Sequence, residues 1–320
     1  MKILSVADIH INLHKKKIPY TWQYNRFKAL FDSLLKLESD TDVTVISGDI
    51  FDKKPEPDEI CLFLDYANSV KNPTIAIPGN HEATSKGKTF LEHFHREHAI
   101  NNSNFHLFTE NSRIELGGQG FQLFPYGAVQ TKTIPTPVQG DILVTHIRGE
   151  VPPHITPEFD FEKLRPWKLI LLGDLHFNHK YKDFPAYYPG SPINTTFDRD
   201  EKRKYGVDII DFTSIDDYSV SFVDLKLPKL VRRTAKVGQE LKGDSVNHVI
   251  YELKGSIDEL SRVKNHELLD KKIAEKPVET SKLELFDLSL YEELYKYLDY
   301  IKIENKESVL EQFKELGFKE

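Results

Sequence analysis

Asp8 and His10, in the run Ala7-Asp8-Ile9-His10, place a carboxylate and an imidazole one residue apart. On an extended segment both side chains would point the same way and could grip one ion. Four further groups of similar character follow along the chain. Gly48-Asp49-Ile50-Phe51-Asp52 offers a carboxylate whose two oxygens can bridge two cations. Gly79-Asn80-His81-Glu82 offers a neutral amide oxygen, and His146 and Gly173-Asp174-Leu175-His176 add ring nitrogens and another carboxylate. Such mixed donors suit Mn²⁺, Fe²⁺ or Zn²⁺; a pair of ions roughly 3.5–4 Å apart activates water and neutralises charge on a phosphoryl group. Gly48 and Gly79 would let the backbone turn sharply against the ions. Singly, each group is weak. A lone histidine is more often a hydrogen-bonded interior residue, and Gly-Asn is more often a turn. The weight lies in their order and placement.

Each group directly follows a predicted strand. Lys2–Ala7, Val43–Ser47, Thr74–Pro78, Ile142–Thr145 and Leu169–Leu172 are nearly continuous apolar runs, which predicts burial on both faces. Between the first two, Phe27, Leu30, Phe31, Leu34 and Leu35 recur at helical spacing; Ile60, Phe63, Leu64 and Ala67 do so before the third. This alternation predicts a layered α/β domain. Open α/β sheets gather ligand sites outside the carboxyl ends of their strands, so the groups should converge in one crevice. From Phe121 the chain is strand-rich, in Phe121–Phe124, Ile209–Phe212 and Tyr218–Leu225, the last alternating in part as an outer strand does.

The 320 residues are 39% apolar and 29% charged, enough for a sizeable core and appendages. A net charge of −7 argues against a protein that coats nucleic acid through bulk positive charge. Asp8, Asp49 and Asp174, however, are charges that divalent ions would cancel. The first ten residues break the apolar run of a signal peptide, and no stretch approaches the roughly 18 apolar residues of a membrane span. The expected compartment is therefore the cytoplasm. The single cysteine, Cys61, forms no internal disulfide and is expected to be a small buried hydrophobe. Residues 226–242 carry six Lys and Arg against Glu240 alone, and 243–282 are mixed and polar, with Pro277 a hinge. Residues 283–320 hold five Lys against ten Asp and Glu. Capping boxes at Ser289–Glu292 and Ser308–Glu311 start two predicted helices there, the second carrying Leu310, Phe313 and Leu316 and stopping at Gly317. The predicted boundaries are 1–225, 226–280 and 283–320.

The ordered set D-x-H, G-D-x-x-D, G-N-H-E, a strand-terminal His and G-x-x-H resembles the calcineurin-like metallophosphoesterase superfamily. Asp49-Ile50-Phe51-Asp52, Pro78-Gly79-Asn80-His81 and Tyr188-Pro189-Gly190-Ser191-Pro192 are similar to the SbcD-type double-strand-break nucleases and their bacteriophage counterparts. The likeness covers residues 1–225 by motif and the rest by layout. It implies an α/β layered sandwich of two mixed sheets flanked by helices, a small capping domain and a C-terminal helical pair. It implies Asp8, His10, Asp49 and His176 around one metal, and Asp49, Asn80, His146 and Asp174 around a second. Asp174 stands where the family has His. A carboxylate there makes the site harder and more negative and favours Mn²⁺ or Mg²⁺; should it turn away, His179 is the alternative ligand. His81 matches the histidine that protonates the leaving oxygen, a role suited to a group titrating near neutrality. Asp52 reads as a group that orients a ligand by hydrogen bonding.

The implied activity is metal-dependent hydrolysis of DNA, with two divalent ions, Mn²⁺ ahead of Mg²⁺. The family acts as a 3′→5′ exonuclease on duplex and an endonuclease on single strands, in a complex serving recombination, repair or replication. Lys15, Lys16, Lys17, Lys53, Lys54, Lys86 and Lys88 follow three of the metal motifs. They are candidate phosphate contacts on the rim of the site, as are Arg232 and Arg233 of the basic stretch, where the resemblance implies a small capping, DNA-contacting domain. The implied partner of 283–320 is an SbcC-type ABC ATPase, which would handle ATP because this chain has no G-x-x-x-x-G-K-[ST] loop. A homodimer is implied too. Ile60, Phe63, Leu64, Phe90, Leu91 and Phe94 could form its bundle, and read equally well as core. One rival reading is a small-molecule phosphatase or cyclic-nucleotide phosphodiesterase; another is a binding subunit with a degraded site.

Overall fold

The apolar runs become strands whose two faces serve different cores. In the computed structural model, residues 1–84, 88–96, 99–130, 137–138, 140–150, 156–274 and 288–315 are described. Lys86, Pro277, Leu316 and Gly317 lie outside them. Strands β1 (Lys2–Val6), β2 (Val43–Ser47), β3 (Thr74–Ile77) and β4 (Phe105–Leu107) run parallel. The second sheet holds β5 (Ser112–Leu116), β6 (Gln119–Phe124), β7 (Ile142–His146), β8 (Ile170–Gly173), β9 (His179–Lys180) and β10 (Ala186–Tyr188). Its order is β5-β6-β7-β8-β10-β9, parallel from β6 to β10 and antiparallel at both edges. Strands β11 (Gly206–Ser214) and β12 (Asp217–Asp224) complete the first sheet as β12-β11-β1-β2-β3-β4, with β12 at the outer edge. Two mixed sheets therefore form the layers.

Between the sheets, Val43, Val45, Ile75 and Ile77 meet Leu123, Ile142, Val144 and Leu171. On the other face of the first sheet, Ile46 and Ala76 lie against Phe27, Leu30 and Leu34 of α1 (Tyr20–Glu38) and Phe63 of α2 (Pro57–Ser69). Neither face meets water, which is why these strands read as continuous rather than alternating. Helices α3 (Glu92–Arg96) and α4 (Tyr126–Val129) are short. Phe63, Leu91 and Phe94 are buried, with Ile60 and Phe90 against the same core and Leu64 half-buried, so this group fills the domain. Cys61, expected inside, is exposed: α2 turns Glu59, Leu62, Phe63, Tyr66 and Ala67 inward, and Cys61 falls between them on the solvent side.

The basic stretch enters a third sheet of β13 (Leu230–Lys236), β14 (His248–Gly255) and β15 (Leu269–Ala274), in the order β13-β14-β15. Contacts divide the chain into a unit of residues 1–253 with 264–272 and a unit of 254–263 with 273–320. The second unit holds α5 (Ile257–Arg262), α6 (Leu290–Tyr300) and α7 (Lys306–Glu315). The Ser289–Glu292 box caps α6 as its spacing predicts. Helix α7 begins at Lys306, so Ser308 sits in its first turn and is not the cap; the spacing alone cannot tell these apart. Leu298 and Leu310 are the buried residues of these two helices, while Leu290, Tyr295, Tyr297 and Tyr300 stay exposed.

A buried polar joint ties α1 to the third sheet. Arg26, 2% exposed, donates Nη2 to Asn194 Oδ1 (2.5 Å) and O (2.6 Å) and Nε to Pro228 O (2.8 Å). Asn194 in turn accepts from Leu230 N (3.1 Å) and donates to Leu230 O (2.7 Å) at the start of β13. Burial pushes the Arg26 guanidinium down to about 9. A buried cation tolerates little loss of partners. Asn194→Ala is therefore expected to destabilise the fold by about 2–4 kcal/mol, read from the denaturant midpoint; an unchanged midpoint would mean the joint contributes nothing.

Candidate metal centre

The carboxyl ends of β1, β2, β3, β7 and β8 deliver Asp8, His10, Asp49, Asn80, His81, His146 and His176 to one place, where the two sheets meet. The local backbone differs from the extended form expected of Asp8-Ile9-His10. Asp8 and His10 have φ of 54° and 50°, in the left-handed region, because the strand ends at Val6. Asp8 N then donates to Gly48 O (3.1 Å) and His10 N to Asp49 O (3.0 Å), so the β2 loop holds the β1 loop in this conformation. Asp49 and Asp174 also have positive φ, 51° and 107°. Each such non-glycine residue costs on the order of 1–3 kcal/mol and persists only where its surroundings over-determine it.

The side chains converge closely. His10 Nε2 lies 3.0 Å from His176 Nε2 and 3.4 Å from Asp49 Oδ2. His146 Nε2 lies 2.8 Å from Asn80 Oδ1 and 3.5 Å from Asp49 Oδ2, and its Nδ1 donates to Ser47 O (2.7 Å). That last bond fixes the tautomer and leaves Nε2 as the ligating nitrogen. Three overlapping sets have donor atoms within 4.8 Å of one another: Asp8, His10 and His176; His10, Asp49 and His81; and Asp8, Asp49 and His146. Asp8, His10 and Asp49 belong to two sets each, as shared ligands would. The carboxylate of Asp174 and the ring of His179 join none of these sets. The main-chain N–H of Asp174 instead donates to Asp8 Oδ1 (3.0 Å).

Electrostatics shows that the donors fit a cation. Burial, helped by Asp49 and Asp174, raises Asp8 well above the carboxylate range. Asp49 is driven the same way by burial, yet His146 and His10 hold it well below that range. Burial works against charge on His146, but Asp49 and Asp8 push it up to about 10. For His176, burial and the neighbouring His10 push the ring down to about 4, leaving it neutral and able to ligate. Buried carboxylates facing a proton held at such cost are a site whose charge balance a metal would supply. His10 Nδ1 is buried without a hydrogen bond among the described residues, with Asp52 Oδ1 at 3.4 Å as its nearest carboxylate. Asp52 is itself fixed by Asn12 Nδ2 (2.6 Å).

Glycine lets these groups approach. A Cβ on Gly79 would stand 2.1 Å from Asp49 Oδ1, and one on Gly48, at φ +89°, would stand 2.3 Å from His146 Nδ1. Sequence reasoning gave Glu82 no role. Fully buried, its carboxylate accepts from Phe51 N (2.7 Å), Gly79 N (2.8 Å) and Asp49 N (3.1 Å), so it joins the β2 and β3 loops. Burial and then Asp49 push it up to about 7. The only signal was an acid placed next to His81 in the motif.

The candidate phosphate contacts fall into two groups. Lys16, Lys53, Lys54 and Lys88 are exposed and make no ion pair among the described residues. The others are engaged: Lys15 with Thr195 O, Lys17 with Asp270, Arg232 with Asp270 (2.9 Å), and Arg233 with Glu201 (2.8 Å) and Asp244 (3.6 Å). No helix among the described residues is long and apolar enough to cross a membrane.

Residues 1–213 match the family described as calcineurin-like phosphoesterase. The chain is 32% identical over 306 residues to the probable exonuclease subunit 1 of Escherichia phage T5, covering 93% of this chain and 92% of that one. A predicted phosphoesterase from Streptococcus pneumoniae TIGR4 aligns over 70% of this chain and 89% of its own at 15% identity, with a TM-score of 0.35. Because the Gly79 cradle holds Asp49, Gly79→Ala is expected to weaken divalent-metal affinity ten- to a hundred-fold, about the cost of disturbing a ligand's support. Calorimetry on the metal-stripped variant measures it, and wild-type affinity would mean Asp49 needs no such cradle.

Proposed function

The chain belongs to the calcineurin-like phosphoesterase family, and we propose that it is the metal-dependent nuclease subunit of a complex that processes DNA. The observation that carries this reading is the convergence of Asp8, His10, Asp49, Asn80, His146 and His176 on one buried, charge-unbalanced point. The name of the phage relative, an exonuclease subunit, supports the substrate. Asp8, His10, Asp49 and His176 would hold one ion; Asp49, Asn80, His146 and Asp174 would hold the other. Two divalent ions, Mn²⁺ ahead of Mg²⁺ for these donors, would supply Lewis-acid activation of water and of the phosphodiester.

The chain's own groups do the rest. His81 Nδ1 faces Asp52 O (2.5 Å), a carbonyl that can only accept, so Nδ1 carries a proton and Nε2 is the free nitrogen. Nε2 sits 3.9 Å from Asp49 Oδ2 at the half-open rim; once it too is protonated, the imidazolium is placed to hand that proton to the departing oxygen and keep the one on Nδ1. Asp52, beside His10 Nδ1, orients that ring. Asp174 holds Asp8 through its main chain, and its carboxylate feels the charges of His146 and Asp49. Rotating toward them would make it the second ion's carboxylate ligand.

Phosphate contacts would come first from Lys16, Lys53 and Lys54, whose charges are unspent; Lys15, Lys17, Arg232 and Arg233 would have to exchange partners. Residues 226–280 would act as the cap beside the DNA. Residues 283–320 would hold an SbcC-type ABC ATPase, the exposed Leu290, Tyr295, Tyr297 and Tyr300 suiting a partner helix. A homodimer belongs to this reading, on a surface other than the Phe63–Phe94 core group. The host cytoplasm is its compartment, and 3′→5′ exonuclease with single-strand endonuclease its activity.

Purified chain with Mn²⁺ is expected to degrade linear duplex DNA. His81→Ala should lower kcat about 10²–10⁴-fold with metal content unchanged. Hydrolysis of a small phosphodiester without DNA cleavage would instead favour a small-molecule enzyme, and no hydrolysis at all a binding subunit. Asp174→Ala should lose one of two bound ions by mass spectrometry; retention of both would leave Asp174 its main-chain role alone.

A further inference from the structure

We propose that the cavity beside His176 is a subsite for one unpaired nucleobase, presented by the Pro189–Pro192 turn; this rests on the nuclease reading and specifies how that site takes its DNA. The turn contributes no donor to the metal cluster. It does place Ser191, 1% exposed, on the cavity wall with an Oγ that has no hydrogen-bond partner among the described residues. A buried hydroxyl left without a partner calls for an explanation, and a ligand atom is one.

The remaining walls have the chemistry of a heterocycle site. The cavity holds about 150 Å³ and is lined by Phe177 and Phe197 together with Thr195 and Thr196. Phe197 is held by His248, with centroids 5.7 Å apart, and by Arg232 at 5.9 Å over its ring. Phe177 is 39% exposed although large and apolar, with His179 against it at 6.0 Å. Aromatic rings offer stacking to the faces of a base, and the hydroxyls offer hydrogen bonds to its edge. A simple anion site does not account for the lining, since Arg203 is already paired with Asp198 at 3.2 Å. The volume suits one ring system and not a base pair, so the base must leave its stack, which costs least where it is already unpaired. Thr195 Oγ1 lies 3.3 Å from His176 Nδ1, which joins this cavity to the metal cluster and would fix the base relative to the phosphate.

The test compares dAMP with 2-deoxyribose 5-phosphate, ligands that share the sugar and phosphate and differ by the base. Binding to the whole chain loaded with Mn²⁺ is measured by calorimetry. The expected result is about ten-fold tighter binding of dAMP. Phe177→Ala should abolish that advantage and Ser191→Ala reduce it, with sugar-phosphate affinity unchanged in both. Ser191→Ala removes a hydroxyl that no described protein atom uses, so its thermal stability should not fall. Equal affinities in the wild type, or an advantage surviving both substitutions, would overturn the subsite. Base discrimination in a chain that cuts no DNA would sink the nuclease reading and keep a nucleotide site; DNA cleavage without discrimination would do the reverse.

Discussion

Two aspartates, Asp8 and Asp49, are buried together where the sheets of this molecule meet. Much of the surrounding architecture is explicable as a response to that placement. Burial and the neighbouring Asp49 drive Asp8 toward its neutral form against the pull of His146, and the two aspartates push His146 up to about 10. A carboxylate pair of this kind is costly in a dry interior unless paired or bound to metal. Such a cluster can stand only on a rigid support, and parallel β1, β2 and β3 beside parallel β7 and β8 provide it. All five strands end at the same edge.

Rigidity is also what sustains the strained loops. Asp8, His10, Asp49 and Asp174 occupy left-handed backbone that none of them would choose alone. The carbonyls of Gly48 and Asp49 fix the β1 loop, and the buried carboxylate of Glu82 fixes the β2 and β3 loops to each other. The strain thus sits within the donor set, where geometry must be held, and the regular strands beneath offset it.

The donor set was legible in the sequence because each member follows a strand whose apolar run is itself legible, and because fold rules send those strand ends to one crevice. What could not be read depends on contacts between distant segments. The positive φ at Asp8 and His10 follows from hydrogen bonds across 39 or more residues, not from local composition. Glu82 is invisible because its burial is a tertiary fact. Cys61 was placed inside on residue type alone, and the phase of α2 put it outside. Strands β13 to β15 went unread because their sequence is polar and mixed. The basic stretch around them looked unpaired in one dimension, yet Arg232 and Arg233 have acidic partners far along the chain. The net charge of −7 likewise sums unlike things: carboxylates facing a cation site, and an acidic C-terminal segment.

The account stands or falls on whether this buried cluster is built to take two divalent ions. Titrating the metal-stripped chain with Mn²⁺ by calorimetry, in two buffers of different ionisation enthalpy at neutral pH, measures both stoichiometry and proton exchange. Because His146 carries its proton in the metal-free state and must lose it to ligate, two ions per chain with net proton release are expected, and binding should tighten as pH rises. Fewer than one ion per chain, or binding without proton release, would contradict it.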